Sequence, residues 1–472
     1  MVCISRHITL SQETYIMGLV IRNIRIIDPA SGLDEIGDII VRGEKIERIV
    51  IGGEQAPSAE EGDTVIDGTG LVCAPGLVDV HVHFRDPGFT HKEDIETGAR
   101  AAAAGGFTSV VMMANTKPAI DNEETLRYVL DKAAKQPVRV YTCADITMGL
   151  KGESLTEMEK LTDIGAVGFT DDGIPLRDAD ICREAMLRAG RLHKPLSFHE
   201  EDPAFITNNG INAGAASEYY GVGGSPREAE ISMIRRDIGI AEGIMAESPD
   251  VLPDIVIQHI STAEGVELIR QARKTNPCIH AEATPHHFSL TEQAVIEHGT
   301  MAKMNPPLRT EADRQAIIEG LRDGTIEIIS TDHAPHTDEE KSKPITEAPS
   351  GIIGLETSLA LGITTLVHGD RIESSPAPGH DDAQTHGARS GCLSLAELLS
   401  RMTVNPASLY GLDAGRIYEG GPADLVIFAP PEEWTVPDTF ASKSSNTPFI
   451  GETLRGRIHM TICRGRIVFV VQ

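Results

Sequence analysis

The middle of the chain repeats one kind of unit, and that repetition limits the folds open to it. The apolar segments SVVMMAN, RVYTCADIT, AVGFTDDG, LSFHEE, DIVIQHIS, IHAEATPHH and IEIISTDHAP follow one another, separated by amphipathic stretches such as NEETLRYVLDKAAK and AEGVELIRQARK. Continuous apolar strands alternating with helices predict a parallel sheet covered on both faces. With LVDVHVHF in front, the segments number eight. That count predicts an α/β fold with a closed (β/α)8 TIM-type barrel over residues 73–411. Both chain ends have another texture. LVIRNIRII, GDIIVRGEKIERIVI and TVIDGTGLV at the start, and ADLVIFAP and RIHMTICRGRIVFVV at the end, are short strands punctuated by Gly or Asp. They predict a small β-sandwich domain built from residues 18–72 plus 412–472. Residues 1–17 show neither periodicity nor a continuous apolar run, so they read as a disordered extension and not as a signal peptide. The Pro/Gly/Asp-rich stretch 374–391 reads as a loop.

Charge narrows the partners. Forty-two basic residues against 70 acidic ones leave a formal net charge of −28, which repels nucleic acid and anionic membrane surfaces. No run reaches membrane-spanning length. The seven cysteines are scattered without a Cys-x-x-Cys pair, which points to a reducing cytoplasm and away from a disulfide framework.

The chemistry collects at the strand ends. In LVDVHVHFRDPG, alternation puts Asp79, His81, His83 and Arg85 on one face. A His-x-His pair is as often the wetted face of a strand as a metal site, and two ligands do not close one. The other segments carry Asn115, Asp171-Asp172, His199, His259, and the trio Asp332, His333 and His336 at their C-terminal ends. Taken singly, His199 and His259 read as satisfied rim histidines, Asp171-Asp172-Gly173 as a turn, and Asp332 as a helix cap. Together they require too many coincidences at one end of one barrel, where active sites of this architecture form. Four histidines and two aspartates can hold two divalent ions if one carboxylate bridges them, and paired ions acidify a shared water. His286 and His287 also end a strand, but carry no assigned role.

These residues resemble the amidohydrolase superfamily, and within it the bacterial-type (class I) dihydroorotases. The matching stretches are GLVDVHVHFRDPG, HKEDIETGARAAAAGGFTSV, GFTDDG, HKPLSFHEED, IQHISTAEG, TPHHFSLTE, KMNPPLR, STDHAPH, APSGIIGLET and NTPFIG, spread over residues 19–472. The resemblance implies a reversible, zinc-dependent cyclisation of carbamoyl aspartate to dihydroorotate with loss of water, a step of pyrimidine synthesis. It implies one or two zinc ions per subunit, two being favoured. His81, His83 and Asp332 would bind one, His199 and His259 the other, with Asp172 as the bridge. Asp332 would also be the catalytic proton shuttle. Arg85, Asn115 and Asn305 would hold the substrate carboxylate, His336 and the backbone near Ser350 and Gly351 would touch the ring, and His83 and Phe84 would border the same pocket. A homo-oligomer, taken as a dimer, and association with aspartate transcarbamoylase are implied as well. Two departures stand out. Many relatives bridge their metals with a carboxylated lysine, and GFTDDG has none; Ser350 stands where the family commonly shows phenylalanine. The competing readings are an allantoinase or hydantoinase, which typically use that lysine, and a non-catalytic scaffold, which would have lost ligands this chain retains.

Overall fold

The computed structural model describes residues 18–54, 57–372 and 391–471. The predicted extension 1–17 and all but Gly391 of the predicted loop 374–391 lie outside them. Both chain ends contribute to one sheet. β1 (Gly18–Asp28), β2 (Leu33–Arg42), β3 (Lys45–Val50), β4 (Thr64–Asp67) and β5 (Val72–Pro75) come from the start of the chain, and later strands join them. Next are β6 (Leu77–Val82), β7 (Phe107–Met112), β8 (Arg139–Thr142), β9 (Phe169–Thr170), β10 (Leu196–Phe198), β11 (Ile255–Ile257), β12 (Ile279–Ala283) and β13 (Ile328–Ile329). The chain closes with β14 (Leu425–Thr435), β15 (Thr453–Cys463) and β16 (Arg466–Val470).

The terminal strands run in the order β16-β15-β14-β5-β1-β2-β3, with β4 also paired to β1. Where a sandwich of two sheets was expected, the hydrogen bonding makes one sheet that turns back on itself. Ile46 N–H donates to Gly421 O at 3.0 Å and Ala423 N–H to Glu44 O at 2.8 Å, so the β3 edge meets the approach to β14. Inside lies an aliphatic core that includes Leu19, Ile21, Ile39, Ile46, Leu425 and Ile462. The chain leaves this sheet at Gly76, between β5 and β6. A side chain there would meet the Thr108 hydroxyl at 2.1 Å, so only glycine allows the crossing.

The eight predicted middle strands are all present and parallel. β6-β7-β8 form one sheet and β9-β10-β11-β12-β13 another, making the protein an α/β fold. Parallel bridges Ala144–Phe169 and Val82–His333 link the two sheets at both seams. Every residue of β6 and β7 is buried, as strands covered on both faces require. The stretch NEETLRYVLDKAAK forms the helix Glu123–Ala133, its first turn capped by Asn122 on Thr125 N–H. AEGVELIRQARK forms Ala263–Ala272, capped by Thr262 on Gly265 N–H. Among the described residues no helix is long and apolar enough to cross a membrane.

Candidate metal centre

The C-terminal strand ends converge on Asp172. Its Oδ1 lies 3.5 Å from His81 Nε2 and 3.8 Å from both His199 Nδ1 and His259 Nε2, while Oδ2 lies 3.4 Å from His83 Nε2. Donor atoms of His81, His83 and Asp172 fall within 4.8 Å of one another, as do those of Asp172, His199 and His259. Asp332 stands against the first group, with Oδ1 3.0 Å from His83 Nε2 and 3.6 Å from His81 Nε2. All six side chains are buried. Asp171 faces the other way. Its Oδ1 accepts from the N–H groups of Ile146 (2.7 Å) and Thr147 (3.0 Å), and its Oδ2 from the Thr147 hydroxyl. Burial pushes its carboxyl up to about 6 despite those bonds.

Three of the four imidazoles have their far nitrogen engaged, which turns a lone pair inward. His81 Nδ1–H donates to Glu282 Oε1 at 2.5 Å. His83 Nδ1–H donates to Asn115 Oδ1 at 3.0 Å. His199 Nε2 lies 3.3 Å from Glu201 Oε2, so its Nδ1 faces Asp172. These tautomers are assigned from the network. The donor set fits divalent ions, because His81 Nε2 and Asp172 Oδ1 are buried without a hydrogen-bond partner and both point to the centre. The surrounding charge fits too. Burial opposes the charge on Asp172, yet His81, His259 and His83 hold its carboxyl well below the ordinary value. Burial likewise opposes charge on His81, but Glu282 and Asp172 hold its pKa well above the usual one. Such a cluster of carboxylates selects for positive charge at its centre.

Strand geometry accounts for only part of this. β6 ends at Val82, so His83 and Arg85 project from the loop that follows it. The shared strand face predicted for Arg85 is replaced by a backbone turn at φ 60°. His259 (φ 32°) and Asp332 (φ 48°) also adopt left-handed backbone, where non-glycine residues carry strain that the surroundings must hold. Arg85 is half-buried, with Nε 3.4 Å from Pro335 O. Asn305 Nδ2 sits 3.1 Å from His199 Nε2. Asn115, expected at the substrate carboxylate, has both amide ends engaged. Its Nδ2 donates to Asp172 O and Oδ2, both at 3.0 Å, so it must release one of them to reach a ligand. Phe84 corrects a prediction more sharply: its ring is fully buried, edge-on to His333 and against Gly98, leaving only its main chain to border the centre.

On the far side, His336 Nε2–H donates to Ser350 O at 2.8 Å. Burial, then the cations Arg85, Lys92 and Lys341, keep this imidazole neutral, far below its ordinary pKa. Ser350 Oγ packs against Gly210, and Gly351 (φ 108°) donates its N–H to Lys303 O at 2.8 Å. His287 is tied to the Thr284 hydroxyl (2.7 Å) and Pro306 O (3.1 Å), a structural use consistent with its having no assigned role. Sequence reasoning missed Glu282 and Glu201. The signal for Glu282 was a carboxylate near the C-terminal end of the parallel strand IHAEA, where a buried charge is seldom left unpartnered.

Residues 70–261 match the dihydro-orotase-like family, and residues 247–468 the amidohydrolase family. The dihydroorotase of Clostridioides difficile is 50% identical over 451 residues, covering 96% of this chain and 99% of its own. The chain belongs to the dihydroorotase family. A second member of that family, the dihydroorotase of Streptococcus thermophilus, is 49% identical and covers 96% of this chain and 100% of its own. Solved structures carry the same fold at much lower identity. The L-hydantoinase (dihydropyrimidinase) of Arthrobacter aurescens superposes with a TM-score of 0.77 at 24% identity, over 96% of this chain and 97% of that one. The dihydropyrimidinase of Brevibacillus agri gives 0.77 at 22%, over 96% and 95%. The likeness to these two extends to the fold and not to the substrate, whereas the dihydroorotase relatives match along nearly their whole length.

Proposed function

We propose that the protein interconverts dihydroorotate and carbamoyl aspartate at a centre of two zinc ions bridged by Asp172, as a bacterial-type (class I) dihydroorotase. The observation that carries this reading is a central aspartate within 4 Å of four inward-facing imidazoles, in a chain half identical to a dihydroorotase over 96% of its length. His81, His83 and Asp332 would hold one ion, His199 and His259 the other. Such ions, when bound, polarise a ring carbonyl and lower the pKa of water. The rest falls to the chain. Asp332 takes the proton of the attacking water and passes it to the leaving ring nitrogen; in the reverse direction the ureido nitrogen closes on the side-chain carboxylate and water is lost. Asp332 is placed for proton relay because its Oδ1 stands 3.0 Å from His83 Nε2 and 3.6 Å from His81 Nε2, beside the centre where the water would be held. Arg85, with Asn305 and a released Asn115, offers a planar cation and amide donors to the substrate carboxylate. The two parallel sheets, bridged at both seams, support reading the strands as one closed barrel. Turnover of dihydroorotate, allantoin and hydantoin by the zinc-loaded protein tests the proposal. Activity on dihydroorotate alone is expected, and preference for either other ring would refute it.

A further inference from the structure

The connection between β14 and β15 carries the motif Asn446-Thr447-Pro448-Phe449, which the metal centre leaves unexplained. Asn446 is fully buried. Its Oδ1 accepts from His336 N–H at 3.0 Å, and its Nδ2 donates to Ala334 O and Gly351 O, both at 3.1 Å. Its own carbonyl accepts from Ile353 N–H at 3.0 Å. One side chain therefore ties together the two arms of the loop that follows Asp332. The same connection also grips the loop after β6. Ser444 Oγ donates to Lys92 O at 2.8 Å, and the Ser442 hydroxyl and Lys443 N–H donate to Glu93. Lys341 Nζ adds a 3.0 Å bond to the Gly351 carbonyl that Asn446 already holds. Asn446 makes no bond to any of the six centre residues, and Asp332 stands instead against His83, its Oδ1 3.0 Å from Nε2.

From this arrangement we propose that Asn446 is a positioning residue for substrate. It sets the span between the loop bearing Arg85 and the loop bearing His336 and Gly351, and so governs affinity for the ring rather than the chemical step. This rests on the dihydroorotase reading, in which those two loops face the substrate.

The test compares zinc-loaded wild type, Asn446→Ala, Asn446→Asp and the exposed surface control Lys135→Ala in dihydroorotate hydrolysis. Asn446→Asp keeps the size and the acceptor but turns an oxygen toward two carbonyls. In both Asn446 variants KM should rise about tenfold or more, the scale of one lost buried hydrogen bond. Their kcat should stay within about a factor of two, with zinc per chain unchanged, and Lys135→Ala should match wild type. A merely structural role would lower the active fraction, hence kcat, and leave KM alone; that result overturns the proposal. Loss of soluble protein in both variants overturns it too, because it makes Asn446 a folding residue. A folded, metal-loaded wild type that is inactive on dihydroorotate would instead sink the functional reading on which the proposal depends.

Discussion

Glu282 offers a quantitative test of how the centre is held. Its Oε1 receives the His81 Nδ1 proton at 2.5 Å, and both side chains are essentially inaccessible to solvent, so water does not screen the pair. A buried hydrogen bond to a charged group contributes about 1.5–3 kcal/mol. At about 1.4 kcal/mol per tenfold change, losing it should weaken metal binding at His81 and His83 roughly 10- to 150-fold. Outer partners of metal-bound imidazoles generally show losses of about 10–100-fold. Glu282→Ala should therefore shed one ion at chelator concentrations that leave wild type fully loaded. Glu282→Gln, which can still accept the proton without a charge, should fall between them. Competition with a zinc chelator, with bound metal counted per chain, gives the affinities. Equal affinity in wild type and Glu282→Ala would refute the claim that this carboxylate orients His81 toward a metal.

Other expectations follow from the same geometry. Asp332→Asn should fold normally but lose about 10²–10⁴-fold in turnover, the usual contribution of acid–base catalysis; near-wild-type rates would remove its proton-relay role. Arg85→Met should raise KM for both dihydroorotate and carbamoyl aspartate about tenfold or more without changing zinc content, since a charge-assisted carboxylate contact is lost; an unchanged KM refutes it. Gly98→Val should cost about 1–3 kcal/mol in a denaturant titration, because an ideal Cβ there already lies 2.3 Å from the Phe84 ring. Burial, helped by nearby Lys303, lowers the Lys341 ammonium to about 7. Between about pH 7 and pH 10 the unfolded chain then binds the extra proton, so stability should rise with pH. The stability of wild type relative to Lys341→Met should rise by up to about 1.4 kcal/mol per pH unit in that window; a flat difference contradicts the assignment.

The strand-forming segments were legible because buried parallel strands are predominantly apolar. SVVMMAN and IEIISTDHAP could therefore be read without knowing their neighbours, and both lie on strands here. The ligand types were legible because histidine and aspartate at the end of such a strand stand out against its apolar run. What sequence could not show was orientation. Asp171 and Asp172 are adjacent and chemically equal, and only the bonds from Ile146 and Thr147 turn the first away from the histidines. Phe84 follows His83 directly, yet its ring faces the core, because the notch left by Gly98 receives it. Asn446 was hidden by distance along the chain: its partners lie about a hundred residues earlier, and nothing local to NTPF encodes them.

The bridge is the central claim, and metal reconstitution tests it most directly. A lysine bridge must first capture carbon dioxide, whereas Asp172 is already an anion at neutral pH. Metal-free protein supplied with zinc alone, in bicarbonate-depleted buffer, should recover two ions per chain and full hydrolysis of dihydroorotate. Strict dependence of that recovery on bicarbonate would contradict an aspartate bridge.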